Sequence, residues 1–341
     1  MNKYFFFCSK LFIEGDIMEN LFIKLNNIIN EYDSFIIMGH KDPDLDSLGS
    51  SLGLCEIIET FGKKAYLFLD DKHLDDYNSN INQCFLKMEK DIICVNEKSY
   101  KKIEGKTLVI ITDVHIKERL EFPNICEQYD IVVLDHHIKN KNYIKNTKLM
   151  YMDSTLSSMS ELIANYADYL NLKLDSVIAT ILLAGIEIDT NGFNIKTTAS
   201  TYKTAALLIE MGADTILKQE LLKETKEQYM KRASYIRSSF MINDNMAMCI
   251  LTGVVDSLTL ASVAEEILGF EDIEASFTIG KIESNVIGVS ARSLGEFNVS
   301  EVMKQMGGGG HSSNAATQIK GKTLKEVKQQ IIDIIKNESN S

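Results

Sequence analysis

The sequence predicts an α/β protein with two domains, an N-terminal domain built on a parallel sheet and a smaller C-terminal α/β domain. Its 341 residues exceed the length of one typical domain. From residue 35 to about residue 190, short apolar runs alternate with amphipathic stretches, a pattern typical of a parallel sheet covered by helices. After residue 240, strand-like runs are mixed with helical stretches.

Five apolar runs in the first domain are bounded by polar turns and have the length of buried strands. They are Phe35 to Met38, Ala65 to Leu69, Ile92 to Val95, Leu108 to Ile111 and Ile131 to Leu134. After the first run, Pro43 delays helix formation until the apolar stretch from Leu48 to Ile58. If the loop has no metal-binding role, Asp46 or Ser47 is the N-cap of this helix.

Residues 199–240 have helical periodicity with many Lys and Glu, which predicts a helical linker. The second domain then contains three predicted strands and two predicted helices. The strands are Met246 to Leu251, Ala275 to Ile279 and Val286 to Ser290, and the helices lie near Leu258 to Leu268 and Leu324 to Ile335. The predicted division is an N-terminal extension (1–29), a first domain (30–198), the linker (199–240) and a second domain (241–338).

Charge and cysteine content exclude several classes of protein. The net charge of −12 argues against binding along duplex nucleic acid, because Lys and Arg drive such binding. The six cysteines form no C-x-x-C pair, which favours a reducing, cytoplasmic location over a disulfide framework. Tyr4 to Phe7 and Leu11 to Ile13 are too short to span a bilayer. We expect the first 17 residues to be an extension without a role, in preference to a weak surface anchor.

Four segments share an apolar run followed at once by Asp or His, and the carboxyl ends of parallel strands are where ligand sites form. They are FIIMGHKDPDLDS, LVIITDVH, IVVLDHH and LLAGIEIDTNGF. Each polar residue alone has an ordinary explanation as a turn, a helix cap, a strand terminus or a buried histidine. Together, carboxylates and imidazoles without thiolates favour a hard divalent ion, Mn²⁺ ahead of Mg²⁺, and suit two-metal phosphoryl hydrolysis.

In order and spacing, these segments resemble the motifs of the DHH phosphoesterase superfamily. The resemblance implies that His40, Asp44 and Asp113 hold one metal ion. It implies that Asp46, Asp113, Asp189 and a histidine of the DHH triplet hold a second ion, with Asp113 as the bridge. Two Mn²⁺ ions for each active site are expected, with Mg²⁺ or Co²⁺ as substitutes.

The DHH triplet supplies the expected catalytic residues. His136 is favoured as the metal ligand, and His137 is expected to be either a ligand or a phosphate contact. Asp135 is expected to orient its neighbours.

Two stretches of the second domain carry candidate substrate contacts. Gly308, Gly309 and Gly310 could form an anion-binding nest or a flexible hinge, and His311 could donate to a phosphate. Arg292 could bind a phosphate in a bidentate manner or form a surface salt bridge.

These stretches, SARSLGEFNV and GGGGHSSNAATQ, resemble the DHH-associated domain. The similarity is closest to the GdpP-type cyclic di-AMP phosphodiesterases, and the NrnA-type oligoribonuclease and pAp-phosphatase branch comes next. GdpP proteins usually carry membrane helices, a PAS-like domain and a degenerate cyclase-like domain before this unit. This sequence shows no counterpart of those parts, so the resemblance implies nothing about membrane attachment or ligand regulation.

The resemblance implies hydrolysis of cyclic di-AMP to linear pApA. The alternative is release of mononucleotides from pApA, pAp or very short RNA, and a third hypothesis is a nucleotide sensor whose metals are structural. The expected partner is a small nucleotide, with no duplex nucleic acid and no membrane span. A homodimer is compatible with the sequence.

Overall fold

The structure is a computed structural model that describes residues 18–75, 80–88 and 92–338. The chain divides into two compact units, Met1–Lys223 and Glu224–Ser341. The expectations for residues 1–17 lie outside the described residues. Among the helices that are described, none combines the length and the apolar character that crossing a bilayer requires.

The first unit contains a six-stranded parallel sheet within the described residues. Its strands are β1 (Ser34–Met38), β2 (Lys64–Phe68), β3 (Cys94–Val95), β4 (Thr107–Thr112), β5 (Asp130–Asp135) and β6 (Leu149–Met152). The order across the sheet is β3-β2-β1-β4-β5-β6, and every neighbouring pair is parallel. The prediction of a parallel-sheet domain is confirmed. The short strand β6, whose residues are all half-buried, was not predicted.

Helices flank this sheet in the first unit. They are α1 (18–30), α2 (Leu45–Thr60), α3 (Asp71–Asp75), α4 (Asn80–Lys87), α5 (Met159–Tyr169), α6 (Ser176–Asp189), α7 (Ala199–Met211) and α8 (Thr215–Leu221). Alternate residues of β1 enter two different cores. Phe35 and Ile37 pack with α2, α5 and α6 on one face of the sheet. Ile36 and Met38 belong to the core on the other face, together with residues of short segments such as Tyr100 and Ile125. Both faces of the sheet are therefore buried.

The structure corrects the interpretation of LLAGIEID as a strand, because these residues belong to helix α6. Nearly every residue of α6 is buried, so the segment lacks the polar face that would mark a helix in sequence. Asp175 caps the helix by accepting from the backbone N–H of Val177 at 2.8 Å. Asp189 therefore lies at the end of a helix and not at the end of a strand.

The N-cap of α2 is a second correction. It is Asp44, and not Asp46 or Ser47 as expected. The Oδ1 atom of Asp44 accepts hydrogen bonds from the backbone N–H groups of Asp46 and Ser47, both at 3.0 Å. The helix begins earlier than predicted because Pro43 precedes the cap and does not occupy the helix interior.

The second unit contains a smaller, mixed sheet. Its strands are β7 (Phe240–Met241), β8 (Met246–Val254), β9 (Ala275–Glu283), β10 (Val286–Ser293), β11 (Gly309–Gly310) and β12 (Asn314–Lys320). Its helices are α9 (Lys226–Arg237), α10 (Ser257–Leu268), α11 (Val299–Gln305) and α12 (Leu324–Glu338). The order is β11-β12-β10-β9-β8-β7, in which only β8 and β9 pair in parallel within the described sheet.

The predicted linker over residues 199–240 contains three separate helices. Helices α7 and α8 fall in the first unit, and α9 falls in the second. The domain boundaries themselves stay a prediction.

Candidate metal centre

The loop after β1 places His40 and Asp44 at the carboxyl edge of the sheet. Gly39 allows the close approach that this loop needs, since a Cβ there would lie 1.8 Å from the Ser47 Oγ. The backbone N–H of Lys41 donates to the carbonyl of Arg119 at 2.8 Å, which ties the loop to the segment after β4. His40 Nε2 then lies 3.7 Å from Asp44 Oδ2.

Asp46 is fully buried and is held by the N-terminus of α5. Its Oδ2 accepts from the backbone N–H of Met159 at 2.8 Å, and its Oδ1 accepts from that of Ser160 at 2.7 Å. These N–H groups have no partner within their helix, and the helix dipole favours a negative charge at this position. The position of the Asp46 carboxylate is therefore set by two elements, α2 and α5.

Asp113 lies at the centre of the cluster. It follows β4 with a left-handed φ of 62°, which Asp tolerates better than most residues. Its Oδ2 lies 3.5 Å from His40 Nε2, and its Oδ1 lies 3.3 Å from His136 Nε2. Because its two oxygens face different imidazoles, the Asp113 carboxylate connects the two halves of the site.

The DHH triplet begins with Asp135, the last residue of β5, and its two histidines lie in different environments. His136 is fully buried, and its Nε2 lies 3.0 Å from Asp189 Oδ2 and 3.8 Å from Asp46 Oδ2. The side chain of His137 is 40% exposed, and its Nδ1 donates to Asp135 Oδ1 at 2.8 Å. The structure thus separates an inner imidazole from an outer one.

The structure brings all the predicted metal ligands together. The potential ligand atoms of each of three groups lie within 4.8 Å of one another. The groups are His40, Asp44 and Asp113; Asp46, His136 and Asp189; and Asp113, Asp135, His136 and His137. Asp113 and His136 each belong to two of these groups.

Burial and repulsion between carboxylates perturb the pKa values at the site. Burial, followed by the charges of Asp189 and Asp113, raises the pKa of Asp46 well above its usual range. Burial lowers the pKa of His136, but the neighbouring Asp113 and Asp189 outweigh it and raise the pKa to about 11. Burial likewise lowers the pKa of His40, yet Asp113 and Asp44 raise it to about 10. These shifts favour the protonated forms of Asp46, His136 and His40.

The donor set fits hard divalent cations. It consists of carboxylate oxygens and imidazole nitrogens, and no cysteine belongs to these groups. Within the described part of the chain, Asp113 Oδ1 and His136 Nε2 are buried without a hydrogen bond of acceptable geometry. Buried polar atoms without partners are unfavourable, and a bound cation would satisfy both.

His115 is a residue near the site that the sequence interpretation missed. It lies two residues after Asp113, and its Nδ1 is 2.5 Å from Asp135 Oδ2. The signal was present in LVIITDVH, but nothing in the sequence indicated a partner twenty residues away.

A second group of acidic residues is neutralised in part by a lysine side chain. Asp42, His73 and Glu121 could together hold a metal ion by distance. The Lys72 ammonium, however, lies 3.0 Å from both Asp42 Oδ1 and Glu121 Oε1. One side-chain positive charge therefore partly neutralises these two carboxylates.

In the second unit, Arg292 has partners within its own domain. Its Nε donates to Glu265 Oε2, and its Nη1 donates to Ser290 Oγ and to the Ala291 carbonyl, all at 3.0 Å. Only 17% of its side chain is exposed. Burial lowers the pKa of this guanidinium, and Glu265 partly offsets the effect. Arg292 is thus held rigidly, and its contact with substrate stays a prediction.

The glycine run packs closely against β12. A Cβ on Gly308 would lie 2.2 Å from the Ala316 carbonyl, and one on Gly310 would lie 2.3 Å from the Asn314 carbonyl. Gly309 and Gly310 form β11, which pairs with β12, and His311 follows as an exposed residue. Close backbone approach explains Gly308 and Gly310 in this domain, while phosphate binding by this loop stays a prediction.

Comparison with known proteins identifies relatives over most of the chain. The chain is 33% identical to the cyclic-di-AMP phosphodiesterase GdpP of Bacillus subtilis over 90% of its length and 48% of the relative. It is 34% identical to the cyclic-di-AMP phosphodiesterase PdeA of Listeria monocytogenes over 91% of its length and 48% of the relative. The chain therefore spans about half the length of these relatives.

Other relatives match over most of their length. The bifunctional oligoribonuclease and PAP phosphatase NrnA of Thermus thermophilus is 25% identical over 89% of both chains. The crystal structure of an exopolyphosphatase-related protein from Bacteroides fragilis has a TM-score of 0.72 and 18% identity, covering 95% of this chain and 98% of its own. At this identity the structural similarity concerns the fold alone.

Family models match both units. Residues 34–186 match the N-terminal domain of the DHH family, and residues 243–337 match the DHHA1 domain. The first match includes β1 to β6 and most of α6, and the second includes β8 to β12. The chain therefore belongs to the DHH family, with a DHHA1 domain following the DHH domain.

Proposed function

We propose that this chain is a metal-dependent phosphodiesterase that hydrolyses cyclic di-AMP to linear pApA. The observation that carries the proposal is a pair of ligand groups, one containing Asp113 and the other His136, whose donor atoms lie within 4.8 Å inside each group. A third group contains both Asp113 and His136 and so connects the pair. The choice of substrate is supported by relatives at 33% and 34% identity that are named cyclic-di-AMP phosphodiesterases.

We assign one cation to His40, Asp44 and Asp113, and a second to Asp46, Asp113, His136 and Asp189. Mn²⁺ is the proposed ion, because it suits a set of carboxylates with a few imidazoles. When bound, such a pair of ions supplies Lewis-acid polarisation of the phosphodiester and activation of water. The match to the DHH family supports this assignment, and so do Asp113 Oδ1 and His136 Nε2, which are buried without hydrogen-bond partners.

The chain's own groups position this chemistry. Asp46 is held by the two backbone N–H groups of α5, so its carboxylate has little freedom to turn. His137 has its Nδ1 engaged by Asp135, which directs its other ring nitrogen away from that carboxylate. We assign to His137 a contact with the substrate phosphate, because its side chain is 40% exposed whereas His136 is fully buried.

Linear substrates are the second candidate. The relatives named oligoribonuclease and PAP phosphatase include one that matches over 89% of both chains. In this case pApA, pAp or very short RNA would be cleaved to mononucleotides at the same metal centre.

A chromatographic time course separates these candidates. Purified protein with Mn²⁺ receives cyclic di-AMP, pApA or pAp in separate reactions, and initial kcat/KM values are compared. Asp113→Asn serves as the site variant, and Asp168→Asn, at an exposed position on α5, serves as the matched control. The proposal predicts fastest cleavage of cyclic di-AMP with accumulation of pApA. If pApA is cleaved rapidly and cyclic di-AMP is not cleaved, the proposal is wrong and linear nucleotides are the substrates.

A further inference from the structure

His115 is a buried histidine whose two ring nitrogens both have defined partners. Only 3% of its surface is exposed. Its Nδ1 lies 2.5 Å from Asp135 Oδ2, and its Nε2 accepts from the backbone N–H of Asn140 at 2.8 Å. Neither partner is one of the residues that we assign to a cation.

The Asn140 contact determines where the His115 proton lies. A backbone N–H can only donate, so Nε2 of His115 must present a lone pair. The single proton of the neutral ring is then on Nδ1, from which it is donated to Asp135. In a doubly protonated ring, Nε2 would also carry a hydrogen, and its N–H would face the backbone N–H of Asn140. The direction of the hydrogen bond from His115 to Asp135 is therefore fixed.

Asp135 in turn connects His115 to His137. Its Oδ2 is taken by His115, while its Oδ1 accepts from the backbone N–H of His137 at 3.0 Å and from His137 Nδ1 at 2.8 Å. Three hydrogen bonds to one buried carboxylate leave it little freedom to rotate. The plane of the Asp135 carboxylate decides the orientation and the tautomer of the outer imidazole, His137.

We propose that His115 is a positioning residue, which holds the Asp135 carboxylate and through it sets the orientation of His137 toward the substrate. This inference rests on the proposed function, since it assigns His137 a part in turnover. The alternative is a purely structural role, in which His115 stabilises the turn after the triplet through its hydrogen bond with Asn140.

Two conservative variants separate these roles, because each retains one of the two hydrogen bonds. In His115→Asn the amide can replace Nδ1 and donate to Asp135, but it cannot reach Asn140. In His115→Gln the amide oxygen can replace Nε2 as the acceptor for Asn140, but the bond to Asp135 is lost. Thermal melting and circular dichroism of both variants establish that they are folded.

Turnover is the first readout. Loss of a residue that orients a catalytic group lowers activity about 10–100-fold. We expect this decrease in kcat for His115→Gln, with little change in KM, and substantial rescue in His115→Asn. Mn²⁺ binding, measured by electron paramagnetic resonance, should be retained in both variants. Equal activities, or a more active Gln variant, would overturn the inference in favour of the Asn140 contact.

The second readout does not depend on activity. Nuclear magnetic resonance of ¹⁵N-histidine in the metal-free protein reports which ring nitrogen carries the proton. We expect His115 and His137 to carry it on Nδ1 in the wild type, and His137 to lose this preference in His115→Gln but not in His115→Asn. An unchanged His137 in His115→Gln contradicts the inference, even if the wild type cleaves no nucleotide and the proposed function fails.

Discussion

At the scale of single residues, the candidate site concentrates negative charge on side chains that are largely buried. Asp46 and Asp113 are buried, and the carboxylates of Asp46, Asp113 and Asp189 all lie within 3.8 Å of His136 Nε2. Burial raises the pKa of Asp189, and Asp113 and Asp44 add to the effect although His136 opposes it. Such an arrangement is unfavourable by itself and becomes favourable when a cation binds.

Replacing Asp189 tests this balance through stability. For Asp189→Asn we expect a melting temperature of the metal-free protein equal to or above that of the wild type, because one buried carboxylate is removed. Mn²⁺ at a hundredfold excess over its Kd stabilises a one-site protein by about 2.7 kcal/mol. The variant should lose the part of the gain that the second cation contributes and keep the part from the cation at His40, Asp44 and Asp113, whereas Asp168→Asn should keep both. Calorimetry with and without Mn²⁺ measures both values, and an undiminished gain in Asp189→Asn would exclude it as a ligand.

The two histidines of the triplet should respond differently to truncation. His136 Nε2 lies within 3.8 Å of three carboxylates, so His136→Ala should weaken Mn²⁺ binding strongly. His137→Ala should keep Mn²⁺ affinity and lower kcat by about 10²–10³-fold, as expected for loss of a group that stabilises the transition state. Paramagnetic resonance titration and steady-state kinetics on both variants check this. Weaker Mn²⁺ binding in His137→Ala would make His137 a ligand.

At the scale of elements, the first turns of α2 and α5 form one structural unit around Asp46. The carboxylate of Asp46, on α2, accepts the first free N–H groups of α5. Helix α6 can approach this junction only because residue 185 is glycine. A Cβ at this position would lie 2.4 Å from Ser160 Oγ and 2.8 Å from the Asp46 Cα.

Gly185→Ala should therefore disturb both stability and metal binding. Overpacking of a tight interior typically costs about 1–3 kcal/mol, and here the displaced atoms include the backbone of Asp46. Gly309→Ala is a suitable control, because no atom lies within 4 Å of the added methyl group. Urea unfolding and Mn²⁺ titration compare the two. A normal Mn²⁺ affinity in Gly185→Ala would show that the α2–α5 junction is not essential for the site.

At the scale of the whole molecule, the proposed metal ligands belong to the first unit, and the second unit has apolar cores of its own. All the proposed ligands lie in Met1–Lys223, while Glu224–Ser341 has its own apolar cores around β9, β10 and α10. Each unit thus contains what a domain needs in order to fold.

Separate fragments test this independence. The fragment Met1–Lys223 should fold and bind Mn²⁺ with an affinity close to that of the full chain, but its KM for nucleotides should rise if the second domain contributes Arg292 and His311. The fragment Glu224–Ser341 should give a dispersed amide spectrum and no specific Mn²⁺ binding. Absence of Mn²⁺ binding to the first fragment would mean that the site is not complete within that unit.

Much of the fold was predictable from periodicity. All five strands predicted between Phe35 and Leu134 are present, although β3 covers only Cys94–Val95 of the predicted Ile92 to Val95. The central strands were recognisable because both faces of a parallel sheet are buried, so each is a continuous apolar run. The same criterion failed at α6, where a helix buried on nearly all sides presents an apolar run of similar composition. Asp189 was therefore assigned to the end of a strand when it ends a helix, but its selection as a candidate ligand did not depend on this error.

By itself, the sequence determined which donor atoms are available and in what order they occur along the chain. His40, Asp44, Asp113 and the DHH triplet follow apolar strands, and strand ends in one parallel sheet must lie at the same edge. Only the tertiary structure decided how these donors are held. The N–H groups that hold Asp46 come from residues more than a hundred positions away, and the partner of His115 lies on a neighbouring strand. Such pairings depend on packing between distant elements, which periodicity and local spacing do not encode.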